Sequence, residues 1–273
     1  MWHRLGGEDD PVITKRALAR VLGGKVILAG LALAAGCGSE APDPEHDRSA
    51  SDIQGEAAQV GAPNAPQPGP VAQVEQALTG PDRPRRLQTA WSLPDRTDVD
   101  PTTQARMLLE AVEEEIADPD TGRPPEGTYL SATEWARYVY TLALGRLDPA
   151  GLEVVRQTAG DATGELAERA TLALAYAGDS TAVPGLVILL ETSGTGDVRS
   201  DAAYLLGELG AVEAIPALRR AAENDPYVAR TERLGGGWTE IYPVKTAAMR
   251  SLEQLGLSVE LGEDGQYRLI DPS

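Results

Sequence analysis

The residue types that most often carry catalytic chemistry are scarce in this chain and lie near its amino terminus. The 273 residues include one cysteine, Cys37, and two histidines, His3 and His46. Beyond residue 70 there is no histidine and no cysteine, which excludes Ser-His and Cys-His nucleophilic machinery and an ordinary zinc site from that part of the chain. Acid–base chemistry there would have to use carboxylates, Tyr, Lys or Arg.

Cys37 is the one residue whose position indicates a covalent modification. An apolar run, Val26 to Ala35, precedes it, and Lys15, Arg16, Arg20 and Lys25 precede that run. Basic residues, a short apolar run and then small residues are typical of a secretory signal peptide. The run is too short to cross a bilayer, which takes about 20 apolar residues. The alternative to a covalent modification is that an ordinary signal peptide precedes Cys37 and that its thiol is free.

The segment Ala34-Ala35-Gly36-Cys37 resembles the lipobox of bacterial lipoproteins. The resemblance implies that residues 1–36 are a signal peptide, that cleavage makes Cys37 the first mature residue, and that its thiol carries acyl chains. Two or three acyl chains anchor a protein stably, whereas one chain holds it only marginally. The protein is then expected in the bacterial cell envelope. The Gly38 that follows implies the outer membrane where the cell has one.

Residues 37–70 are expected to form a flexible tether behind the lipidated cysteine. They contain six prolines, almost no large apolar residues and no helical or strand period, which is the composition of a disordered linker. A flexible chain of this length reaches about 30 Å on average. The tether would hold the rest of the chain away from the membrane surface.

An insertion between about residues 224 and 243 carries the best candidates for partner binding. It contains Arg230, Arg233, Trp238 and Tyr242, and three consecutive glycines precede the tryptophan. Arg, Tyr and Trp are enriched at interface hot spots, and insertions in repeat proteins form loops that often lie on the binding face. The alternative is that Trp238 and Tyr242 fold back onto the neighbouring repeat.

Three other charged segments have plain structural interpretations. The segment Asp118 to Gly127 gathers carboxylates near a glycine, but its spacing is not that of an EF-hand, and a proline-rich connection is favoured. Glu113 to Glu115 is interpreted as a solvated helix face. Asp82 to Arg86, a small basic island, is interpreted as an exposed helix start, with contact to an anion as the alternative.

The elements that position these residues repeat along the chain with a period of 32. Six residues recur 32 positions later: Ala170, Leu174, Gly178, Ala182, Pro184 and Leu186 return as Ala202, Leu206, Gly210, Ala214, Pro216 and Leu218. A further copy follows at a distance of 46, which leaves about 14 inserted residues. Gly210 is placed to end one helix in the left-handed conformation, and Pro216 to begin the next.

The segment Asp197 to Leu218 resembles the short HEAT-like repeats of bacterial α-solenoid proteins, including those of bilin lyases. The resemblance rests on Val198-Arg199, Ala202, Leu206-Gly207, Leu209-Gly210 and the run from Ala214 to Leu218. The resemblance covers about Ser131 to Gly256 and implies an all-α solenoid of helix pairs, which we expect over residues 71–257. Because the chain lacks phenylalanine, its core must consist of Ala, Leu and Val. In residues 258–273, apolar and polar residues alternate on both sides of Asp264-Gly265. This pattern predicts a β-hairpin, which we expect to cap the array.

The charge and the repeats together favour a binding protein. The net charge is −18, and because the first 36 residues hold five basic and three acidic residues, the remainder holds −20. Such a surface argues against nucleic acid and suits a basic protein partner. We therefore expect a non-enzymatic, membrane-tethered scaffold with no cofactor; the oligomeric state stays open. The alternatives are an enzyme or accessory subunit of the bilin lyase type and a divalent-cation-dependent module.

Overall fold

Helices account for most of the residues that the structure, a computed structural model, describes, which are residues 68–118, 128–232, 237–261 and 267–270. Within these ranges the chain forms ten α-helices: α1 (Pro70–Leu78), α2 (Arg83–Ser92), α3 (Pro101–Ala117), α4 (Ala132–Leu144), α5 (Pro149–Asp161), α6 (Glu165–Tyr176), α7 (Val183–Thr192), α8 (Gly196–Glu208), α9 (Ile215–Asn224) and α10 (Pro243–Gln254). Four short strands follow α9 and α10: β1 (Ala229–Glu232), β2 (Trp238–Ile241), β3 (Val259–Leu261) and β4 (Tyr267–Leu269).

The helices pack in two layers, as expected for an α-solenoid. The front layer consists of α2, α4, α6, α8 and α10, each in contact with the next. The rear layer consists of α3, α5, α7 and α9, and each rear helix contacts the front helix that follows it. Because such short helices are unstable alone, contacts between neighbouring repeats supply most of the stability.

The repeated glycines end three front helices in the same way. Gly178, Gly210 and Gly256 have φ of 82°, 66° and 89°, and in each case the amide of the next residue donates to a carbonyl five positions back, as in Ala211 N to Leu206 O at 3.0 Å. This is a Schellman cap, which needs the left-handed conformation at the glycine. The prediction for Gly210 is confirmed.

Proline begins the rear helices that follow these caps. Pro184 and Pro216 each lie in the first turn of their helix, α7 and α9, where the absent N–H has no intrahelical partner to lose. Helix α4 instead begins with a capping box, in which the Ser131 hydroxyl accepts from the Glu134 amide and the Glu134 carboxylate accepts from the Ser131 amide. Each start is thus encoded locally.

One hydrophobic core runs through the described helices from Val74 to Leu252. It contains mainly Ala, Leu and Val, with a few larger side chains such as Tyr140, as the composition predicts. The small side chains let helices approach closely. At Gly207 on α8, a Cβ atom would lie 2.7 Å from Ser251 Cβ on α10, so the backbone of α8 lies directly against the Ser251 side chain.

Both pairs of strands are antiparallel hairpins. In the second, Val259 pairs with Leu269 and Leu261 with Tyr267, which is the predicted register. Strands β3 and β4 contact α10, so the prediction of a hairpin that covers the end of the array is confirmed. The first hairpin, β1 and β2, lies between α9 and α10, where the sequence predicts a loop.

Candidate functional site

The insertion after α9 is an antiparallel hairpin and not the loop that the sequence predicts. Ala229 pairs with Ile241 and Glu232 with Trp238. Stretches of alternating polar and β-forming residues flank the glycines, and that alternation favours strand pairing. The prediction of a loop is wrong, because residues 229–232 and 238–241 pair as strands.

Two of the predicted binding residues lie on the exposed part of this hairpin. The Trp238 side chain is 68% exposed, so the alternative in which it packs on the neighbouring repeat is wrong. Arg230 is 72% exposed and faces Glu240 across the strands, with Arg230 Nη2 3.5 Å from Glu240 Oε1. An ion pair this exposed contributes little to stability. The hairpin therefore presents an indole and a guanidinium to solvent.

The other two predicted residues are not part of this exposed pair. Tyr242 is half-buried at the start of α10, where Lys245 Nζ lies 5.9 Å from its ring centre. Arg233 lies outside the described residues. The structure thus brings Arg230 and Trp238 onto one hairpin and places Tyr242 at its base.

A second cluster of functional side chains lies on the front layer and centres on a buried arginine. Arg169 on α6 is 0% exposed, and its Nη2 lies 3.0 Å from Glu165 Oε1 and 2.7 Å from Asp197 Oδ2 on α8. Burial of a charge is costly unless it is paired, and this guanidinium is paired twice. Even so, Arg169 Nη1 and Asp197 Oδ1 are buried without a hydrogen-bond partner.

Asp201, one helical turn after Asp197, lies beside this ion pair. Its pKa is raised to about 7, because burial and then the nearby Asp197 carboxylate raise it more than Arg169 and a hydrogen bond with Tyr176 lower it. Glu168 on α6 also has a raised pKa, first because of burial and then because of Glu165. For both carboxylates burial is the first cause of the raised pKa, and a neighbouring carboxylate adds to it.

Aromatic rings cover Asp201 from the neighbouring helices. Trp135 and Tyr138 on α4 have ring centres 5.8 Å apart, and Tyr138 and Tyr176 meet edge to face at 6.2 Å. Burial, and then the Asp201 carboxylate, raise the pKa values of Tyr138 and Tyr176. We call Tyr138, Tyr176, Asp201 and Tyr204 the tyrosine–aspartate cluster; each of its side chains is partly exposed.

Two more tyrosines border the cluster. Tyr129, in the segment before α4, hydrogen-bonds Ser200, and burial and then Asp201 raise its pKa. Tyr227, just after α9, packs against the start of α8, where a side chain at Gly196 would overlap its ring. The cluster is therefore bounded by aromatic side chains that come from four different parts of the chain.

The sequence contains a signal for this cluster that the repeat comparison alone does not use. Asp197, Asp201 and Tyr204 are spaced at i, i+4 and i+7, which places them on one face of α8. Glu165 and Arg169 lie 32 positions before Asp197 and Asp201. Charged residues at matching positions of consecutive repeats indicate a polar contact between stacked helices.

A third polar region lies where α1, α3 and α4 meet. A cavity of about 420 Å³ is bordered there by Arg86, Glu115 and Tyr140, among others. Glu115 is 3% exposed, accepts a hydrogen bond from Arg86 Nη2 at 3.1 Å, and forms an ion pair with Arg83, whose Nη2 lies 2.7 Å from Glu115 Oε1. The prediction that Glu113 to Glu115 form a solvated face is wrong for Glu115, since α3 turns that residue toward α2.

The basic island begins α2 as predicted, with Asp82, Pro84 and Arg85 exposed, but Arg83 and Arg86 are partly buried and point toward this carboxylate. Arg83 also lies 2.8 Å from Asp118, so the anion they contact belongs to the same chain. Burial of Tyr140, and then Glu115, raise the pKa of that phenol to about 12. These contacts connect α2, α3 and α4, and their role is structural.

Several other predicted features lie outside the described residues. They are the signal peptide (residues 1–36), Cys37, the tether up to residue 67, and residues 119–127 of the acidic segment. In the part of the chain that the structure describes, no His, Cys, Asp and Glu side chains gather into a set that would hold a metal ion. Within the same residues, no helix has the length and apolarity to span a membrane.

Comparisons with known proteins agree with the repeat architecture. Residues 136–234 match the family model of HEAT repeats. Among solved structures, the complex of CpcE and CpcF of phycocyanin lyase from Nostoc sp. PCC7120 is similar, with 21% sequence identity, a TM-score of 0.39, and coverage of 76% of this chain and 70% of that chain. No curated protein matches.

The prediction that this chain is not an enzyme is corrected by that comparison. The similar structure belongs to a phycocyanin lyase. This architecture therefore does not exclude an enzyme or a subunit of one. A TM-score of 0.39 carries no lyase activity over to this chain. The matched repeats establish the architecture, and the function must be argued from the side chains.

Proposed function

We propose that this protein is a HEAT-repeat scaffold that binds another protein in the bacterial cell envelope. The observation that carries the proposal is the exposure of Trp238, 68% of whose side chain faces solvent on a hairpin between two repeats. Burying an aromatic side chain of this size is worth several kcal/mol. An exposed tryptophan without a partner is therefore a strong candidate for an interface anchor.

The hairpin that carries Trp238 has features suited to binding. It is short, it lies between α9 and α10, and it is the site of the insertion into the 32-residue period. Arg230 lies on β1, the strand that pairs with the one carrying Trp238, and it is also exposed. Trp and Arg are residue types that most often dominate binding energy at interfaces. The helical layers on either side provide a fixed frame for them.

We further propose that Cys37 anchors the protein to a membrane by acyl chains, after removal of residues 1–36. The apolar run and the lipobox-like sequence support this proposal. Metabolic labelling with a palmitate analogue, comparing the parent with Cys37→Ser, tests it. Label on the parent and its absence on the variant are expected. A parent that takes up no label, or a variant that stays with the membrane fraction, contradicts the anchor.

Capture experiments in intact cells test the scaffold function. Crosslinking of the full chain, followed by identification of bound proteins, should yield one reproducible partner. Trp238→Ala should reduce its capture at least tenfold, because an anchor residue is worth 2 kcal/mol or more. The matched control is Ile188→Ala, which removes another exposed apolar side chain, 59% exposed, from α7.

The outcome distinguishes a binding residue from a structural one. Trp238→Ala should leave the free energy of unfolding within about 0.5 kcal/mol of the parent, since its side chain contacts mostly solvent. If the variant captures the partner as well as the parent does, the hairpin is not the binding element. If it loses stability as well as capture, Trp238 supports the fold instead.

A further inference from the structure

The hairpin that carries Trp238 leaves α9 through a corner that is bonded to α8. Asp225, the residue directly after α9, is 8% exposed. Arg199 on α8 donates to both oxygens of the Asp225 carboxylate, from Nε to Oδ2 at 2.7 Å and from Nη2 to Oδ1 at 3.1 Å. Two hydrogen bonds of this kind fix the direction of the carboxylate as well as its distance. The direction in which the chain leaves α9 is therefore set by α8.

The residues between this corner and β1 are attached to α8 as well. The Asp225 carboxylate accepts from the Tyr227 amide, with N 2.9 Å from Oδ1. The Tyr227 ring lies against Gly196, the first residue of α8, where an added Cβ atom would lie 2.3 Å from Tyr227 Cγ. Strand β1 begins two residues after Tyr227, at the buried Ala229. We call Gly196, Arg199, Asp225 and Tyr227 the hairpin clamp, because together they attach the start of the hairpin to α8.

The other end of the hairpin is also short and bonded. One residue separates β2 from α10, and Lys245 in the first turn of α10 donates from Nζ to the Glu223 carbonyl of α9 at 3.0 Å. Lys245 lies 46 positions after Arg199, and Arg199 Nη1 likewise donates to the Ser193 carbonyl after α7, at 2.8 Å. The same repeat position thus bonds the end of the preceding rear helix twice. Arg199 adds to this bond the two that hold the corner of the hairpin.

The orientation of the hairpin decides where Arg230 and Trp238 point, because the two residues lie on paired strands. A two-stranded hairpin is only marginally stable by itself, and each side chain or loop that a partner must order costs binding free energy. A hairpin that is already bonded to the array loses less freedom when a partner binds. The bonds at its base therefore affect affinity, although the exposed side chains do not make them.

We propose that the hairpin clamp holds the β1–β2 hairpin in one orientation on the array, so that Trp238 and Arg230 contact the partner protein together. The four clamp residues are positioning residues, since they act through the hairpin. Their role in binding rests on the scaffold function proposed above. The orientation of the hairpin does not depend on that function, and it can be measured on the protein alone.

Two glycines near the start of α8 provide a perturbation and its matched control. Gly196→Ala adds one methyl group, which would overlap the Tyr227 ring and displace it. Gly194→Ala makes the same change two residues earlier, where an added Cβ atom meets no atom within 4 Å. Neither glycine is among those with a positive φ, so alanine suits the backbone at both positions. The pair therefore differs only in contact with the clamp.

NMR relaxation of backbone and indole N–H groups in the full chain measures the order of the hairpin. In the parent and in Gly194→Ala, the amides of β1 and β2 and the Trp238 indole should have order parameters near the rigid value of about 0.85. In Gly196→Ala these values should fall toward about 0.6, which is typical of a flexible segment. The amides of β3 and β4 should not change, which would show that the loss of order is local.

Capture of the partner by crosslinking in intact cells tests the role of the clamp in binding. Gly196→Ala should reduce capture about tenfold, because the partner must then order the hairpin, whereas Gly194→Ala should match the parent. Tyr227→Ala removes the ring without adding a group to α8 and should lose order and capture alike. Tyr227→Phe keeps the ring and should restore both. Arg199→Lys keeps the charge but cannot form the paired hydrogen bonds, so it should reduce capture as well.

Other outcomes overturn the proposal. Parental order parameters in both Gly196→Ala and Tyr227→Ala would show that the clamp does not hold the hairpin. Lost order with parental capture, where Trp238→Ala does reduce capture, would show that orientation is not needed for binding. If Trp238→Ala leaves capture unchanged, the scaffold function through this hairpin is wrong and the clamp has no role in binding. The relaxation measurements then still decide whether the clamp orders the hairpin.

Discussion

Neutralising Asp201 should stabilise the protein at neutral and alkaline pH and have no effect in acid. The folded pKa of Asp201 is about 7, against an ordinary value of 3.8. Between these values the folded chain holds a proton that the unfolded chain releases, so this group makes the parent less stable as the pH rises from about 4 to about 7. Asp201→Asn, which resembles the protonated acid in shape, removes that dependence.

The size of the effect follows from the difference between the two pKa values. The difference is about three pH units, and each unit corresponds to about 1.4 kcal/mol, which gives an upper limit of about 4 kcal/mol. Asp201 is partly exposed, and water screens its charge. We therefore expect Asp201→Asn to raise the free energy of unfolding by about 2 kcal/mol at pH 8 and by nothing measurable at pH 4.

Urea denaturation at pH 4, 5.5, 7 and 8 measures this difference, with tryptophan fluorescence and circular dichroism compared to establish that a single transition occurs. Glu213→Gln, which removes one exposed carboxylate from the turn before α9, is the matched control and should change the free energy of unfolding by less than about 0.5 kcal/mol at every pH. The reasoning is refuted if Asp201→Asn is less stable than the parent at pH 8, or if the difference is the same at pH 4 and pH 8.

Three further changes test the packing around the front layer by urea denaturation. Arg169→Met should lower the free energy of unfolding by about 3 to 5 kcal/mol, because it leaves Asp197 buried without its cation. The double variant that also carries Asp197→Leu should lose less stability. An equal loss would show that packing, and not the unpaired charge, causes the destabilisation. Gly207→Ala should cost up to about 2 kcal/mol, since overpacking against Ser251 costs about 1 to 3 kcal/mol and a gain in helix propensity offsets about 1 kcal/mol of it. A more stable variant would show that α8 and α10 can separate. Ser131→Ala should cost about 1 kcal/mol through loss of the capping box, whereas no change would mean that Glu134 alone caps α4.

The repeat architecture was predictable from the sequence because its signals are local. Gly210 ends α8 and Pro216 begins α9 through the conformations that these residue types favour, whatever surrounds them. The register of the second hairpin likewise follows from Asp264-Gly265 and the alternation on each side. Such features depend on a few adjacent residues, and a single sequence displays them directly.

The partners of the charged side chains were not predictable, because they depend on which helices stack. The run Glu113 to Glu115 has the pattern of a solvated face, but α3 turns Glu115 toward Arg83 and Arg86 on α2. The sequence does not state how far apart residues 86 and 115 lie in space. The hairpin with Trp238 was missed for a related reason, since the glycines concealed the pairing of the segments around them.

The tyrosine–aspartate cluster arises from a change of charge at one repeat of the array. Glu165 and Arg169 correspond to Asp197 and Asp201 by the 32-residue period, so a balanced pair in one repeat becomes a pair of carboxylates in the next. The following repeat, 46 positions on, has Pro243 and Ala247 at these places. Arg169 on α6 and Arg137 on α4 are the cations that bond the carboxylates of this stripe.

In a stacked array each helix contacts only its neighbours, so a charge missing from one repeat cannot be supplied from a distant one. Arg169 faces α8 from α6, and α10 on the other side offers no cation at the matching positions. Asp197 and Asp201 are therefore a pair of carboxylates on α8 for which α10 provides no cation at the matching positions.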